Sequence, residues 1–124
     1  LRTLAPLDAR PVIESVGRTR RFLGVDTGSI LCNVATTLCG MVAYECWDVL
    51  RSPPAVLGAN HHPLPSAPSL VVDYYPSVAN IVTMALQVMS ANEAITKQAL
   101  ILIAEERNKR EGDRPPDGKF DGPF

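Results

Sequence analysis

The sequence predicts an α/β domain in which helices cover a sheet. A helix pattern spans Ala9–Thr19, a short apolar run follows at Phe22–Asp26, and a long apolar segment then occupies Ser29–Leu50. A short apolar run between turn signals is typical of a buried strand, so the order is helix, strand, helix. Because each element must bury its apolar face against another, this order favours a layered arrangement. With 124 residues, 46% of them hydrophobic, the chain suffices for one domain with one core.

The segment Ser29–Leu50 is predicted to be one buried helix. At about 100° per residue, one narrow stripe of it is polar or small, and the opposite side is apolar. The stripe consists of Asn33, Thr37, Gly40, Tyr44 and Asp48, and the apolar side consists of Leu31, Ala35, Leu38, Val42, Cys46 and Val49. Such a helix must be covered on several sides, either inside a layered domain or by a second chain.

A membrane span is the competing interpretation of this segment. Asn33, Thr36 and Gly40 interrupt it, and Glu45 and Asp48 lie near its end. A span needs about 20 mostly apolar residues, which this segment does not supply. We therefore expect a packing helix and no membrane association.

The first helix has a clear start signal. Leu1–Leu4 is predicted to be the end of a strand. Asp8 is the predicted N-cap of the helix, and Pro11 fits only in a first helical turn. The helix is therefore predicted to begin at Ala9.

After Leu50, segments that contain helix-breaking prolines alternate with predicted strands and helices. Pro53 and Pro54 end the long helix, and Ala55–Leu57 is a candidate strand. Residues 58–69 contain three prolines and no periodicity, which predicts an ordered loop or an extended arm.

Two further helices are predicted near the C-terminus. Ser77 caps a helix at Val78–Met89, and Ser90 with Glu93 has the form of a capping box that starts a helix running to about residue 110. The apolar residues of this last helix need a surface to cover, and they are Ile95, Leu100, Leu102 and Ile103.

Charge and cysteine content exclude several classes of function. The net charge is −1, so no face is basic enough to neutralise several phosphates of a nucleic acid. On one helix Cys32, Cys39 and Cys46 would be roughly 10 Å apart, whereas a disulfide needs Cα atoms within about 7 Å. A metal site would need closer ligands and a nearby histidine. We therefore expect buried free thiols in an intracellular compartment, either the cytoplasm or the mitochondrial matrix.

The adjacent histidines His61 and His62 are the natural candidates for chemistry. Neighbouring side chains point apart in extended backbone, so the pair does not share one metal. A catalytic role would need an Asp or Ser brought in from elsewhere. We interpret both as loop histidines, with a catalytic or ligand role as the alternative.

Five segments together resemble a known family. They are LRTLAPLD at 1–8, ESVGRTRRFLGVD at 14–26, YECWDVLRSPP at 44–54, HPLPSAPSL at 62–70 and YPSVANIV at 75–82. In this order and spacing they resemble the C-terminal domain, of the transketolase C-terminal type, of the beta subunit of thiamine-diphosphate-dependent 2-oxo acid dehydrogenases. This group includes the pyruvate, branched-chain and acetoin dehydrogenases.

The resemblance implies a three-layer α/β domain with a mixed sheet. Phe22–Val25 would be a central strand and Ser29–Leu50 a packing helix. Family domains carry a strand–helix–strand portion before LRTL that is absent from this sequence, so residues 1–89 are expected to be a partial domain. Residues 90–111 are expected to be an additional helix and residues 112–124 a flexible tail, neither with a family counterpart.

The sequence departs from the family pattern at three places. Asp26-Thr27-Gly28 stands where the family has two acidic residues or Glu-Gly. Thr37 stands where the family has a Glu, and His61-His62 stands where Asp-Val is common.

The resemblance also implies that this chain does not itself catalyse a reaction. In the family, thiamine diphosphate, magnesium and the catalytic histidines belong to the alpha subunit and to the N-terminal domain of the beta subunit. We therefore expect no catalytic, cofactor-binding or metal residue here, and partners that are dehydrogenase alpha and beta chains or dihydrolipoyl acyltransferase, or a second copy. Glu45, Trp47 and Asp48 are the candidate docking residues, because acidic and aromatic side chains suit a basic partner. The alternative for Trp47 is a place in the core.

Two other classes of function compete with this interpretation. The first is a stand-alone interaction or scaffold module that reuses the partial domain. The second is a small enzyme that uses His61 or His62.

Overall fold

The computed structural model describes residues 3–66, 71 and 74–112, with side chains described as far as Arg107. Its elements in chain order are α1 (Arg10–Thr19), β1 (Leu23–Ser29), α2 (Val34–Glu45), β2 (Ala55–Ala59), α3 (Val78–Val88) and α4 (Glu93–Gly112). The α/β class predicted from the sequence is confirmed. Within the described residues no helix is both long and apolar enough to cross a bilayer.

The strands β1 and β2 pair in parallel. Leu23 lies opposite Ala55 and Val25 opposite Leu57, and the register is irregular between Val25 and Ser29. Parallel neighbours need a crossover connection, and here that connection contains α2. Among the described residues the sheet has these two strands, so the mixed sheet that the resemblance implied is not seen in this part of the chain.

Two glycines allow α2 to lie close to the sheet. A Cβ atom at Gly24 would lie 2.9 Å from the Cβ of Ala35, and one at Gly58 would lie 2.8 Å from Nδ2 of Asn33. Gly24 and Gly58 point to the same face because Gly24 pairs with Val56. The helix α3 also packs on both strands but makes no contact with α2. The two helices therefore cover opposite faces, which gives three layers.

The core lies where α1 meets the C-terminal end of α2. Val16, Val42 and Cys46 are buried there, and Val42 has no exposed surface. The partly buried residues packed around them are Val12, Ile13, Phe22, Val49 and Leu50. Full burial of a valine side chain contributes about 1.5 to 3 kcal/mol.

The predicted helix Ser29–Leu50 is shorter than expected. β1 continues to Ser29, Cys32 adopts a left-handed φ of 61°, and α2 begins only after Asn33. The side chain of Asn33 accepts a hydrogen bond of 2.7 Å from the N–H of Thr36, so it caps the helix. The expectation of one helix from Ser29 was wrong because this cap fixes the start.

The capping of α2 also corrects the predicted faces. Asn33 was placed on the polar stripe but is buried, while Leu31 and Cys32 are exposed. Within and just after α2 the prediction is confirmed, because the buried residues are Ala35, Leu38, Val42 and Cys46, and the exposed ones include Thr37, Gly40, Tyr44 and Asp48.

Three smaller predictions about element ends were also wrong. Leu4 forms an isolated bridge with Leu7 around a turn, although it was predicted to end a strand. Ala9 is the N-cap of α1, while the carboxylate of Asp8 pairs with Arg10 at 2.9 Å. Ser90 adopts a φ of 56° after α3, so it does not cap α4.

The N-caps of α3 and α4 fix where these two helices begin. The predicted cap of α3 is confirmed, since Ser77 and Asn80 form a capping box. For α4, the Oδ1 of Asn92 accepts the N–H of Ala94 at 3.0 Å, which is the role that was assigned to Ser90. The predicted tail at 112–124 lies outside the described residues except for Gly112.

Candidate protein-interaction surface

The chain turns sharply around Cys46 at the end of α2. The N–H of Cys46 donates to the carbonyl oxygen of Val42 at 2.9 Å, and the carbonyl oxygen of Cys46 accepts from Val49 and Leu50 at 3.1 Å each. The Cys46 side chain is 3% exposed and belongs to the core. Because Cys46 points inward, the residues beside it in sequence are turned toward solvent.

Four of these residues form an exposed acidic and aromatic cluster, which we call the Tyr44–Asp48 surface. Its members are Tyr44, Glu45, Trp47 and Asp48. Tyr44 is 85% exposed and Trp47 is 75% exposed. The alternative in which Trp47 belongs to the core is therefore wrong for this chain. A large aromatic side chain that the fold does not bury is available to a partner.

An open groove of about 400 Å³ lies beside Trp47. Its lining residues are Ala43, Trp47, Leu50, Arg51, Ser52, Pro53 and Pro54. The N–H of Arg51 donates to the carbonyl oxygen of Arg20 at 3.0 Å, and the hydroxyl of Ser52 donates to the carbonyl oxygen of Val88 at 2.9 Å. These hydrogen bonds connect the residues that line the groove to the ends of α1 and α3. The segment that follows Trp47 is therefore held in place by the rest of the fold.

The charges of this surface do not stabilise the helix that carries them. Glu45 is the last residue of α2 and Asp48 follows in the next turn, where the carbonyl end of the helix dipole favours cations. No basic residue occupies the last turn of α2. Acidic residues at this helix end are thus locally unfavourable.

The buried thiol beneath this surface is held in its neutral form. Burial raises the pKa of Cys46 above its ordinary value, and the carboxylates of Glu45 and Asp48 add to the effect. Burial also raises the pKa of Cys39. Since the thiolate is the nucleophile and the metal ligand, neither thiol is activated for chemistry.

The two histidines make separate contacts at the carboxyl ends of the strands. His61 Nδ1 lies 3.0 Å from the hydroxyl oxygen of Ser29, the last residue of β1. His62 Nδ1 donates to the carbonyl oxygen of Pro63 at 2.9 Å, and the His62 ring packs edge-on against Tyr74. The two rings therefore serve different parts of the loop.

The contact between Ser29 and His61 was not found from the sequence. A catalytic role for either histidine needs an Asp or Ser from elsewhere in the chain, and the fold supplies a serine to His61. The signal for it is that consecutive parallel strands bring their carboxyl ends to one edge of the sheet. In the described part of the chain, no carboxylate hydrogen-bonds to His61, so the third member of a catalytic triad is absent there.

No metal centre is formed by the described residues. No three His, Cys, Asp or Glu side chains among them lie close enough to hold an ion. All three cysteines are free, but Cys32 is exposed and Cys39 is only partly buried, so the expectation that all three thiols are buried was wrong for Cys32.

The family comparison matches most of the chain. The family described as transketolase, C-terminal domain, matches residues 1–81. The beta subunit of acetoin:2,6-dichlorophenolindophenol oxidoreductase from Cupriavidus necator is 38% identical over 93 residues, which are 75% of this chain and 28% of that protein. The corresponding subunit from Bacillus subtilis is 32% identical over 88 residues, 71% of this chain and 26% of that protein.

A second group of relatives is named for a different substrate. The beta subunit of the pyruvate dehydrogenase E1 component from Rickettsia conorii is 33% identical over 82 residues, which are 66% of this chain and 25% of that protein. The chain thus spans about a quarter of the length of these relatives. Together, the match over residues 1–81 and the parallel α/β layers lead to one assignment: this chain belongs to the transketolase C-terminal domain family.

Proposed function

We propose that this chain is a non-catalytic assembly and docking part of a thiamine-diphosphate-dependent 2-oxo acid dehydrogenase of the pyruvate or acetoin type. It takes part in oxidative decarboxylation only within a larger complex. The observation that carries the proposal is the exposure of Trp47 between two carboxylates, at the end of α2, in a chain of this family. In this proposal, thiamine diphosphate and magnesium are bound by partner subunits. The chain itself acts in an intracellular compartment.

The names of the relatives support partners that are proteins. Each is a beta subunit, of an acetoin oxidoreductase or of a pyruvate dehydrogenase E1 component. By analogy, the partners of this chain are dehydrogenase alpha and beta chains and dihydrolipoyl acyltransferase. The chemistry of the Tyr44–Asp48 surface suits a basic segment of the acyltransferase, because carboxylates steer the encounter and aromatic side chains supply the buried anchor.

The binding experiment uses Trp47 both as the anchor and as the reporter. It is the one tryptophan of the chain, so its emission reports on this surface alone. Titration with the peripheral subunit-binding domain of dihydrolipoyl acyltransferase should shift that emission to shorter wavelength as the indole leaves water. By calorimetry, Trp47→Ala should weaken binding by about thirtyfold, the size of a hot-spot loss.

Further variants distinguish the contribution of the Trp47 side chain to affinity from the contribution of the two carboxylates to the association rate. Leu64→Ala removes another exposed apolar side chain and should leave affinity unchanged. Glu45→Gln with Asp48→Asn should slow association and reduce its dependence on salt, with a smaller effect on dissociation. Wild-type affinity in Trp47→Ala would contradict the proposed surface.

The competing function is a stand-alone interaction module. Purification of the native particle distinguishes the two, since the dehydrogenase proposal requires a thiamine-diphosphate-binding subunit in fixed stoichiometry. A particle of other composition would support the scaffold instead.

A further inference from the structure

The helix α4 exposes several large apolar side chains. Ile95 and Ile101 are each 56% exposed, and Leu102 is 55% exposed. Within the described residues α4 packs only on α3, and the half-buried residues Ala99 and Ile103 lie on its inner side. At about 100° per residue, Ile101 lies on the side of α4 opposite Ala99 and Ile103, while Ile95 and Leu102 lie about 100 to 120° around the helix from Ile101. The match to the family ends at residue 81, so α4 lies outside it.

Two opposite charges flank Ile101 symmetrically. Lys97, Ile101 and Glu105 follow one another at steps of four residues, so they form one ridge along the exposed side of α4. At 1.5 Å rise per residue, Lys97 and Glu105 lie about 6 Å from Ile101 in opposite directions along the axis. Over residues 97–105 the ridge is therefore positive at one end, apolar at its centre and negative at the other end, and Glu93 lies one step before Lys97.

We propose that α4 pairs antiparallel with α4 of a second copy of this chain, with Ile101 at the two-fold axis. In this arrangement Lys97 of each copy faces Glu105 of the other. A parallel pair would set Lys97 against Lys97 and Glu105 against Glu105, which is unfavourable. A two-fold interface requires a self-complementary surface, and the charge order of this ridge provides one. The pairing is independent of the Tyr44–Asp48 surface.

The test is the oligomeric state of the full 124-residue chain by sedimentation equilibrium. The wild type should form a dimer, and Ile101→Glu should weaken it by at least about tenfold, because two carboxylates would meet at the axis. Lys97→Glu and Glu105→Lys should each weaken the dimer about three- to tenfold through like charges. The double variant, Lys97→Glu with Glu105→Lys, should restore wild-type affinity, because the swapped charges are again complementary.

A control variant removes the effect of net charge. Glu14→Lys on the exposed side of α1 changes the charge as Glu105→Lys does and should leave the dimer constant unchanged. Circular dichroism establishes that each variant keeps the wild-type helix content, since all four positions are exposed. A wild type that stays monomeric up to about 1 mM, a dimer indifferent to Ile101→Glu, or a double variant that does not recover would each overturn the proposal.

Discussion

Arg21 donates a hydrogen bond of 3.0 Å from its Nε to the carbonyl oxygen of Val88, the last residue of α3. The hydroxyl of Ser52 donates to the same oxygen at 2.9 Å. The last carbonyls of a helix have no partner within it, and a guanidinium there also complements the helix dipole. Through this oxygen the segments after α1 and α2 are joined to the end of α3.

Removal of the Arg21 guanidinium should therefore destabilise the chain. Because a hydrogen bond to a charged group contributes about 1.5 to 3 kcal/mol, we expect Arg21→Met to lower the free energy of unfolding by roughly 1 to 2 kcal/mol in urea, with Ser52 retaining part of the bond. Arg18→Met, at an exposed position of α1, is the control and should change it by less than about 0.5 kcal/mol. Equal effects of the two variants would rule out the role of the Val88 carbonyl.

Gly24 and Gly40 should respond to alanine with opposite signs. A Cβ at Gly24 would meet the Cβ of Ala35 at 2.9 Å, so Gly24→Ala should separate α2 from the sheet and cost about 1 to 3 kcal/mol. A Cβ at Gly40, in the middle of α2, meets nothing within 4 Å. Gly40→Ala should stabilise the chain by roughly 0.5 to 1 kcal/mol through helix propensity. Urea unfolding of the two variants measures both, and destabilisation of the same size in both would contradict the close packing at Gly24.

The three cysteines should differ in reactivity. Cys32 is exposed, Cys39 is partly buried and Cys46 is buried, and burial raises the pKa of the last two. Alkylation with iodoacetamide at pH 8, followed by peptide mass spectrometry, should modify Cys32 first and Cys46 last. In guanidinium chloride all three should react at similar rates, and the same order under both conditions would argue against protection by the fold.

The raised pKa of Cys46 also predicts a pH dependence of stability. The unfolded chain loses this thiol proton near the ordinary thiol pKa, whereas the folded chain holds it to higher pH. The contribution of Cys46 is therefore constant below the ordinary value and is lost as the pH rises from that value through the raised one. Cys46→Ala should unfold with a smaller fall in stability between neutral and alkaline pH than the wild type, measured in urea. An identical fall in both would show that Cys46 is not the titrating group.

Replacement of the two histidines should leave partner binding intact. His61 bonds to Ser29 and His62 to its own loop, and both lie on segments other than the Tyr44–Asp48 surface. We expect His61→Gln with His62→Gln to bind the acyltransferase domain with wild-type affinity by calorimetry. Trp47→Ala provides the contrasting loss. A marked loss of binding in the histidine variant would instead favour a function at the carboxyl ends of the strands.

The fold class and the buried face of α2 could be predicted because they depend on periodicity. Ala35, Leu38, Val42 and Cys46 recur at helical spacing, and this spacing persists whether the helix starts at residue 29 or 34. The start itself could not be predicted in this way, since it depends on the cap that Asn33 forms with Thr36.

The candidate surface was predicted less completely than the fold. The sequence predicts either a docking role or a place in the core for Trp47, and composition alone does not decide between them. Its exposure follows from the inward turn of Cys46, which is a tertiary feature. Tyr44 was placed on the polar stripe but not among the docking residues, although it shares that stripe with Asp48. The pairing of Ser29 with His61 depends on strand register, which the sequence pattern does not contain.

The parallel register of β1 and β2 has a consequence for how the chain folds. Leu23 pairs with Ala55, about 30 residues later along the chain. The pairing of these strands therefore cannot start from a tight turn, as it does in a hairpin. Closing so long a loop is entropically unfavourable until α2 docks and covers the strands. Strand pairing and helix docking are therefore expected to occur in one cooperative step, and substitutions that weaken the contact of α2 with the sheet should slow refolding as well as accelerate unfolding.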